Sequence, residues 1–195
     1  SLYMAYKGGA EVVGIDIQSS RLNVAKERLE ICQSQFGDEG RCSFFLESIL
    51  DHKISHDGYD IIWMEQAFHH LEPRDRVVKK IASLLKPGGR VFISEANALN
   101  IFVQLLLLKR RGFRTIKTYT DKNGKILQYG DERVLTFTAL SNILKVNGIS
   151  PVSVDYFRCF PSGKIFDKFL HIEKKVPKIF KFLFTHYNYV GVKDK

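Results

Sequence analysis

Acidic residues close the short apolar runs of this chain: Asp16 ends EVVGID, Glu47 and Ser48 end RCSFFLES, Glu65 ends YDIIWME, and Glu95 lies near the end of RVFISEA. A carboxylate only accepts hydrogen bonds, so one at the end of a strand can take both vicinal hydroxyls of a ribose. Asp16 suits that task, and Ile17 beside it offers an apolar surface for a flat base. Glu47, Ser48 or the backbone at Ile49 could read the edge of that base. His69 and His70 follow the third run closely. Imidazole titrates near neutrality, and a positioned base contributes ~10²- to 10⁴-fold to a reaction, so either histidine could deprotonate a hydroxyl acceptor. Taken singly, each residue also has an ordinary structural use, as a helix cap, a turn former or a packed ring.

These residues need a scaffold, and the hydrophobic periodicity supplies one. SLYMAYK followed by Gly8 and Gly9 reads as the end of a helix, since glycine commonly occupies the position past a helix terminus. EVVGID, RCSFFLES, YDIIWME and RVFISEA read as strands. SSRLNVAKERLEICQSQF and PRDRVVKKIASLL read as helices, the first capped by Ser19 or Ser20, the second with Pro73 in its first turn and KPGG as its stop. The turn between the second and third strands falls around His56, Asp57 and Gly58. Alternating strands and helices with short connections imply an α/β fold, a doubly wound, mostly parallel sheet with helices on both faces. After residue 98 the pattern changes. An apolar then basic segment leads to a polar turn at DKNGK, a helix at TFTALSNILKVNG, a strand at PVSVDYF, a helix near 164–184 and a last strand at HYNYVGVK. That last strand is expected to run antiparallel at one side of the sheet. No repeat or linker divides residues 1–195, so one domain is expected.

Composition narrows the classes further. The chain has 195 residues and a net charge of +9, unevenly placed. Residues 1–100 carry 12 basic against 14 acidic side chains, and residues 101–195 carry 18 against 7. Such asymmetry can mark an anionic partner, but no nucleic-acid-binding motif accompanies it, so a nucleic acid is not the expected partner. The three cysteines, Cys32, Cys42 and Cys159, form no C-x-x-C pair. Neither a disulfide framework nor a metal site is therefore expected, and a cytoplasmic setting fits. The longest apolar run, LNIFVQLLLL, has about half the ~20 residues needed to span a bilayer.

The combination is more specific than its parts. VVGIDIQSSRLNVAKERL, YDIIWMEQAFHHLEP and LLKPGGRVFISEAN, in this order, resemble segments of the class I S-adenosylmethionine-dependent methyltransferases of the small-molecule type. YGDERVLTFTALSNILKVNGI and THYNYVGVK resemble that family's later segments, so the likeness runs along nearly the whole chain. The resemblance implies a Rossmann-like methyltransferase fold with S-adenosyl-L-methionine as cofactor. It implies that Asp16 binds the ribose, that Ile17 flanks the adenine, and that Glu47, Ser48 and Ile49 surround the adenine amine. Glu65 would approach the methionine moiety or its sulfonium.

The family's first strand and the glycine-rich loop after it have no counterpart here. In that fold the first strand lies between the strands that end here on Asp16 and Glu65, so an upstream continuation of the native chain is expected. Without it the sheet is expected to be incompletely filled or rearranged, or to borrow a strand from a neighbour, with weakened cofactor binding. By the same resemblance residues 99–135 form a cap on the acceptor side. Its apolar stripe followed by Lys109, Arg110 and Arg111 suits a lid over a hydrophobic small-molecule or lipid acceptor, an amphipathic helix at a membrane surface, or plain packing on the sheet. A homodimer is a further expectation. Two other classes compete: an NAD-dependent oxidoreductase, which would share Asp16 but lacks its Gly-x-Gly-x-x-Gly, and a non-catalytic basic binding module.

Overall fold

The computed structural model describes all residues except 1, 38–40, 54–56, 121–123, 125, 160–167, 169–172 and 174. The chain divides into two compact units, Ser1–Lys53 and Ile54–Lys195.

The first unit contains α1 (Leu2–Gly8), β1 (Val12–Asp16), α2 (Ser19–Phe36) and β2 (Cys42–Leu46). The two strands are parallel, in a register running from Val12 opposite Cys42 to Asp16 opposite Leu46. Gly14 is required here by close approach, because a Cβ on it would stand 2.6 Å from the Phe44 ring. The helix α2 starts and ends where its sequence predicts, but its N-cap is Gln18 and not a serine. Ser19 already belongs to the helix, and the Gln18 N–H is taken by Asp16 Oδ1 at 2.8 Å. The strand-terminal carboxylate thus does the work a capping hydroxyl would do nearby. Of α2's apolar residues Leu22 is buried, whereas Val24, Ile31 and Phe36 remain exposed.

The second unit is built on β3 (Tyr59–Glu65), α3 (Arg74–Leu84), β4 (Leu85–Ala96), α4 (Ile101–Arg111), β5 (Ile116–Thr120), β6 (Ile126–Gly130), α5 (Phe137–Lys145), β7 (Ile149–Phe157) and β8 (His186–Lys193). Its main sheet has the order β3-β4-β8-β7. β3 and β4 are parallel, and β8 runs antiparallel to both its neighbours. The last strand is therefore antiparallel as expected but lies inside the sheet, with β7 at the margin. Residues 86–89, expected only to stop α3, and Leu85, expected to end that helix, form the irregular start of β4. Tyr59 pairs with Leu85 and Ile61 with Arg90, so the prolyl-glycyl segment bulges out between two paired positions. Pro73 sits at the N-cap of α3.

Alternation along the strands divides the sheet into two faces. On one, Val91 and Ile93 of β4, Tyr187 and Tyr189 of β8, and Ile149 of β7 are at most 1% exposed. Val77, Val78, Ile81 and Leu84 of α3 and Leu140 and Leu144 of α5 are buried as well. α3 and α5 touch each other and lie against β4 and β7. Each such side chain contributes ~1.5–3 kcal/mol when fully buried, so this is the core of the unit. The opposite face is open at β3: Ile61 and Trp63 are exposed, and Trp63 stacks on Phe92 at 5.7 Å. β1 and β3, which would flank the expected first strand, are each a terminal strand of a separate sheet.

β5 and β6 form an antiparallel hairpin apart from the main sheet. Asn100 caps α4: its side chain accepts from Val103 N–H and donates to the carbonyls of Phe182 and Leu183. Only Leu107 of α4 is buried, while Ile101, Phe102, Leu105, Leu106 and Leu108 are exposed, so this helix does not pack its leucines on the sheet. The DKNGK turn lies mostly outside the described residues. Of the helix expected near 164–184, residues 164–167, 169–172 and 174 lie outside them, and residues 175–184 form turns with a 3-10 turn at Lys181–Leu183 in place of an α-helix.

Candidate functional site

Ligands of open α/β sheets bind beyond the carboxyl ends of the strands, and each unit gathers polar side chains there. In the first unit Asp16 and Glu47 end adjacent strands, joined by the Glu47 N–H donating to the Asp16 carbonyl at 3.1 Å. Asp16 Oδ1 accepts from Gln18 N–H, and Arg21 stands 3.8 Å from Oδ2. Ile17 is about half exposed next to it. Glu47 Oε1 accepts from His52 Nδ1 at 2.6 Å, and Ser48 Oγ accepts from Leu50 N–H at 3.2 Å. Ile49 follows, half-buried, in the same turn. Asp16 keeps acceptor capacity and Ile17 a free apolar surface, while Glu47 and Ser48 are partly spent on their own turn.

In the second unit Glu65 is the exposed last residue of β3. It borders an open depression of about 460 Å³ lined also by Trp63, Phe92, Ser94, Phe157 and Val190. His69 and His70 close a single 3-10 turn, Phe68–His70, just beyond that strand. The turn is held by Glu95, which is 2% exposed. One Glu95 oxygen accepts from Phe68 N–H at 2.8 Å, and the other accepts from His69 Nδ1 at 2.5 Å. A buried carboxylate must be paired or hydrogen-bonded, and His69 and the Phe68 amide together satisfy it.

His70 donates from Nδ1 to the Gly130 carbonyl at 2.8 Å and stacks on Tyr129 at 4.7 Å. Burial, as the largest cause, pushes its pKa below the ordinary histidine value despite that hydrogen bond. The neutral ring therefore prevails at neutral pH. A third acidic residue completes the group: Glu132 Oε2 lies 3.5 Å from His69 Nε2, and Glu132 Oε1 lies 3.6 Å from Arg110. Glu132 has φ +53°, a left-handed conformation rarely adopted by residues other than glycine.

The 130–133 segment is fixed against the histidine turn at several points. Arg133 pairs with the buried Glu72 at 2.7 Å, Arg133 N–H donates to the His69 carbonyl, and Arg74 donates to the Arg133 carbonyl. Gly130 comes so close that a Cβ on it would lie 2.2 Å from the His69 carbonyl oxygen.

Sequence reasoning placed Glu95 at a strand end but gave it no role, and it missed Glu132 and Gly130 altogether. Glu95 was detectable as the apolar-flanked acid of a central strand. Glu132 carries no such signal, because only tertiary packing brings the β6 end to residues 69–70.

The chain matches known proteins in sequence and in fold. Residues 2–91 match the methyltransferase domain family. Over 116 residues it is 30% identical to methyltransferase GfsG of Streptomyces halstedii, covering 60% of this chain and 40% of that protein. Over 91 residues it is 34% identical to a ubiquinone biosynthesis O-methyltransferase of Coxiella burnetii, covering 47% of this chain and 36% of that one. The matched stretches thus span well under half of these curated relatives. A solved SAM-dependent methyltransferase from Methanosarcina mazei superposes with a TM-score of 0.65 at 16% identity, over 99% of this chain and 86% of that one, a likeness of fold.

Proposed function

We propose that this chain, which belongs to the class I S-adenosylmethionine-dependent methyltransferases, serves methyl transfer to a hydroxyl oxygen of a hydrophobic small-molecule or lipid acceptor. The single observation that carries the acceptor side is the Glu95–His69 pair. A buried carboxylate fixes the imidazole by Nδ1, which leaves Nε2 without a proton, on the side of Glu132 Oε2 at 3.5 Å. This is the arrangement a hydroxyl acceptor needs, because its proton must leave as the oxygen becomes a nucleophile. The two curated relatives are named as methyltransferases, one of them an O-methyltransferase, which supports the same reading.

The residues present fit the adenosine part of S-adenosyl-L-methionine. Asp16 retains lone pairs for the ribose hydroxyls, Ile17 offers an apolar flank, and the Glu47–Ile49 turn supplies backbone and side-chain polar groups for the base. When bound, the cofactor supplies an electrophilic methyl group. The chain's own contribution is to position the acceptor and to take its proton through His69 or His70, since alignment dominates a direct displacement.

The hydrophobic nature of the acceptor is supported by α4, which exposes Ile101, Phe102, Leu105 and Leu106 ahead of Lys109, Arg110 and Arg111. Such a helix also suits contact with a membrane surface, where a lipid acceptor would be found. The test is calorimetry with S-adenosylhomocysteine and with NAD, followed by methyl transfer to a panel of apolar phenols. Binding of S-adenosylhomocysteine without NAD, and methylation lost on His69→Gln with cofactor binding kept, are the expected results. NAD binding alone would sink the reading.

A further inference from the structure

We propose that His69, His70 and Glu132 form a binding site for a divalent transition-metal ion. Each offers one ligand atom, and the three atoms lie within 4.8 Å of one another. Residues 69–70 and 132 come together only through folding, so the cluster is not a by-product of a charged run.

The hydrogen bonds around the two imidazoles prepare them for this role. Glu95 takes the His69 Nδ1 proton, and the Gly130 carbonyl, which can only accept, takes that of His70. Each ring is thereby fixed in the tautomer that leaves Nε2 bare. Histidines that ligate metals characteristically donate their other N–H to a carboxylate or a backbone carbonyl, and here one ring has each kind of partner.

Glu132 is placed as a ligand and not as a hydrogen-bond acceptor. Its Oε2 stands 3.5 Å from His69 Nε2, well beyond the ~2.7–2.9 Å of a charge-assisted hydrogen bond. Two ligand atoms bound at ~2.0–2.1 Å to a tetrahedral ion stand ~3.4 Å apart, which is close to this spacing. The other oxygen of Glu132 stands 3.6 Å from the exposed Arg110. The left-handed backbone of Glu132 is a costly conformation that the Arg133–Glu72 pair and the Gly130 contact keep in place. Strain of this kind concentrates at functional sites.

Two imidazole nitrogens and one carboxylate favour zinc or another late first-row ion over magnesium and calcium, which prefer oxygen ligands. Three protein ligands leave at least one position open, as in catalytic rather than structural sites. With an ion bound, both Nε2 lone pairs are occupied, so an acceptor oxygen in the open position would be acidified by the ion in place of a histidine base; that clause rests on the methyl-transfer reading, and the ion site itself does not.

The experiment is titration of the metal-stripped full chain with Zn²⁺ by calorimetry, with Co²⁺ absorption as a spectroscopic probe of the ligands. One ion per chain is expected, with visible Co²⁺ bands and no thiolate charge-transfer band. Glu132→Gln and His70→Gln should each weaken Zn²⁺ binding by about tenfold or more, with circular dichroism unchanged, while His186→Gln should not. The proposal is overturned if the folded chain takes up no Zn²⁺, if a thiolate band appears, or if binding survives both substitutions together. Calorimetry with S-adenosylhomocysteine on the same samples reports separately on the methyltransferase reading.

Discussion

The two groups of strand-end residues are built by different means. In the first unit the side-chain hydrogen bonds of this group are local: Asp16 to Gln18, Ser48 to Leu50 and Glu47 to His52 are two, two and five residues apart. In the second, His69 to Glu95, His70 to Gly130 and Glu72 to Arg133 are separated by 26, 60 and 61 residues. The first group is half-exposed and organised by turns that would form wherever the chain bends. The second is buried and exists only when the whole unit has folded. Preorganisation of the second is therefore coupled to global stability, and that of the first is nearly independent of it.

Removal of Glu95 is the sharpest way to break this contrast. Glu95→Ala strips a buried histidine and a backbone amide of their common acceptor, and breaking a buried pair costs ~3–5 kcal/mol. Denaturant unfolding should show that loss, whereas Glu47→Ala, which removes one hydrogen bond from a partly exposed carboxylate to the buried His52, should cost less, ~1–2 kcal/mol. Equal losses would mean that the two groups are not built differently. Next in size is Gly130→Ala. Its Cβ would meet the His69 carbonyl oxygen, which cannot swing aside, so a loss of ~1–3 kcal/mol is expected by the same measurement.

In the first unit the expected effect moves from stability to binding. Asp16→Ala should change stability by about 1 kcal/mol, the value of a lost capping interaction. It should weaken S-adenosylhomocysteine by about 10- to 100-fold, since hydrogen bonds to a charged acceptor contribute ~1.5–3 kcal/mol. Calorimetry giving unchanged affinity would remove Asp16 from the cofactor site.

The same contrast explains what could be read from the sequence. β1, α2, β2 and β3 lie where apolar periodicity and glycine or proline boundaries place them, because those signals are local. Asp16 and the Glu47–Ser48 turn are legible for the same reason. The position of β8 between β4 and β7 is not local, since antiparallel pairing with either neighbour satisfies the same alternating pattern. Nor does a helical stripe reveal its partner: Leu105 and Leu106 of α4 have the spacing of core residues yet face solvent. The Glu132 contact with His69 depends on Gly130 and Arg133 docking the end of β6 on the histidine turn. Nothing in the residues around 132 announces that docking.

The smallest effect expected is a pH dependence that separates the two groups. Burial lowers the His70 pKa below its ordinary value of 6.5, so between the folded and unfolded values the unfolded chain binds more protons. Stability then rises with pH through that window, is fully present above about 6.5, and is lost as pH falls toward the folded value. His186 is shifted in the same direction, by burial first and then by Arg158, and adds to the slope. His70→Gln should flatten the acid limb of a stability profile below about pH 6.5 without abolishing it, the remainder belonging to His186. If His70→Gln left the limb unchanged, the ring would not be held neutral by burial, and its bare nitrogen would have to be explained otherwise.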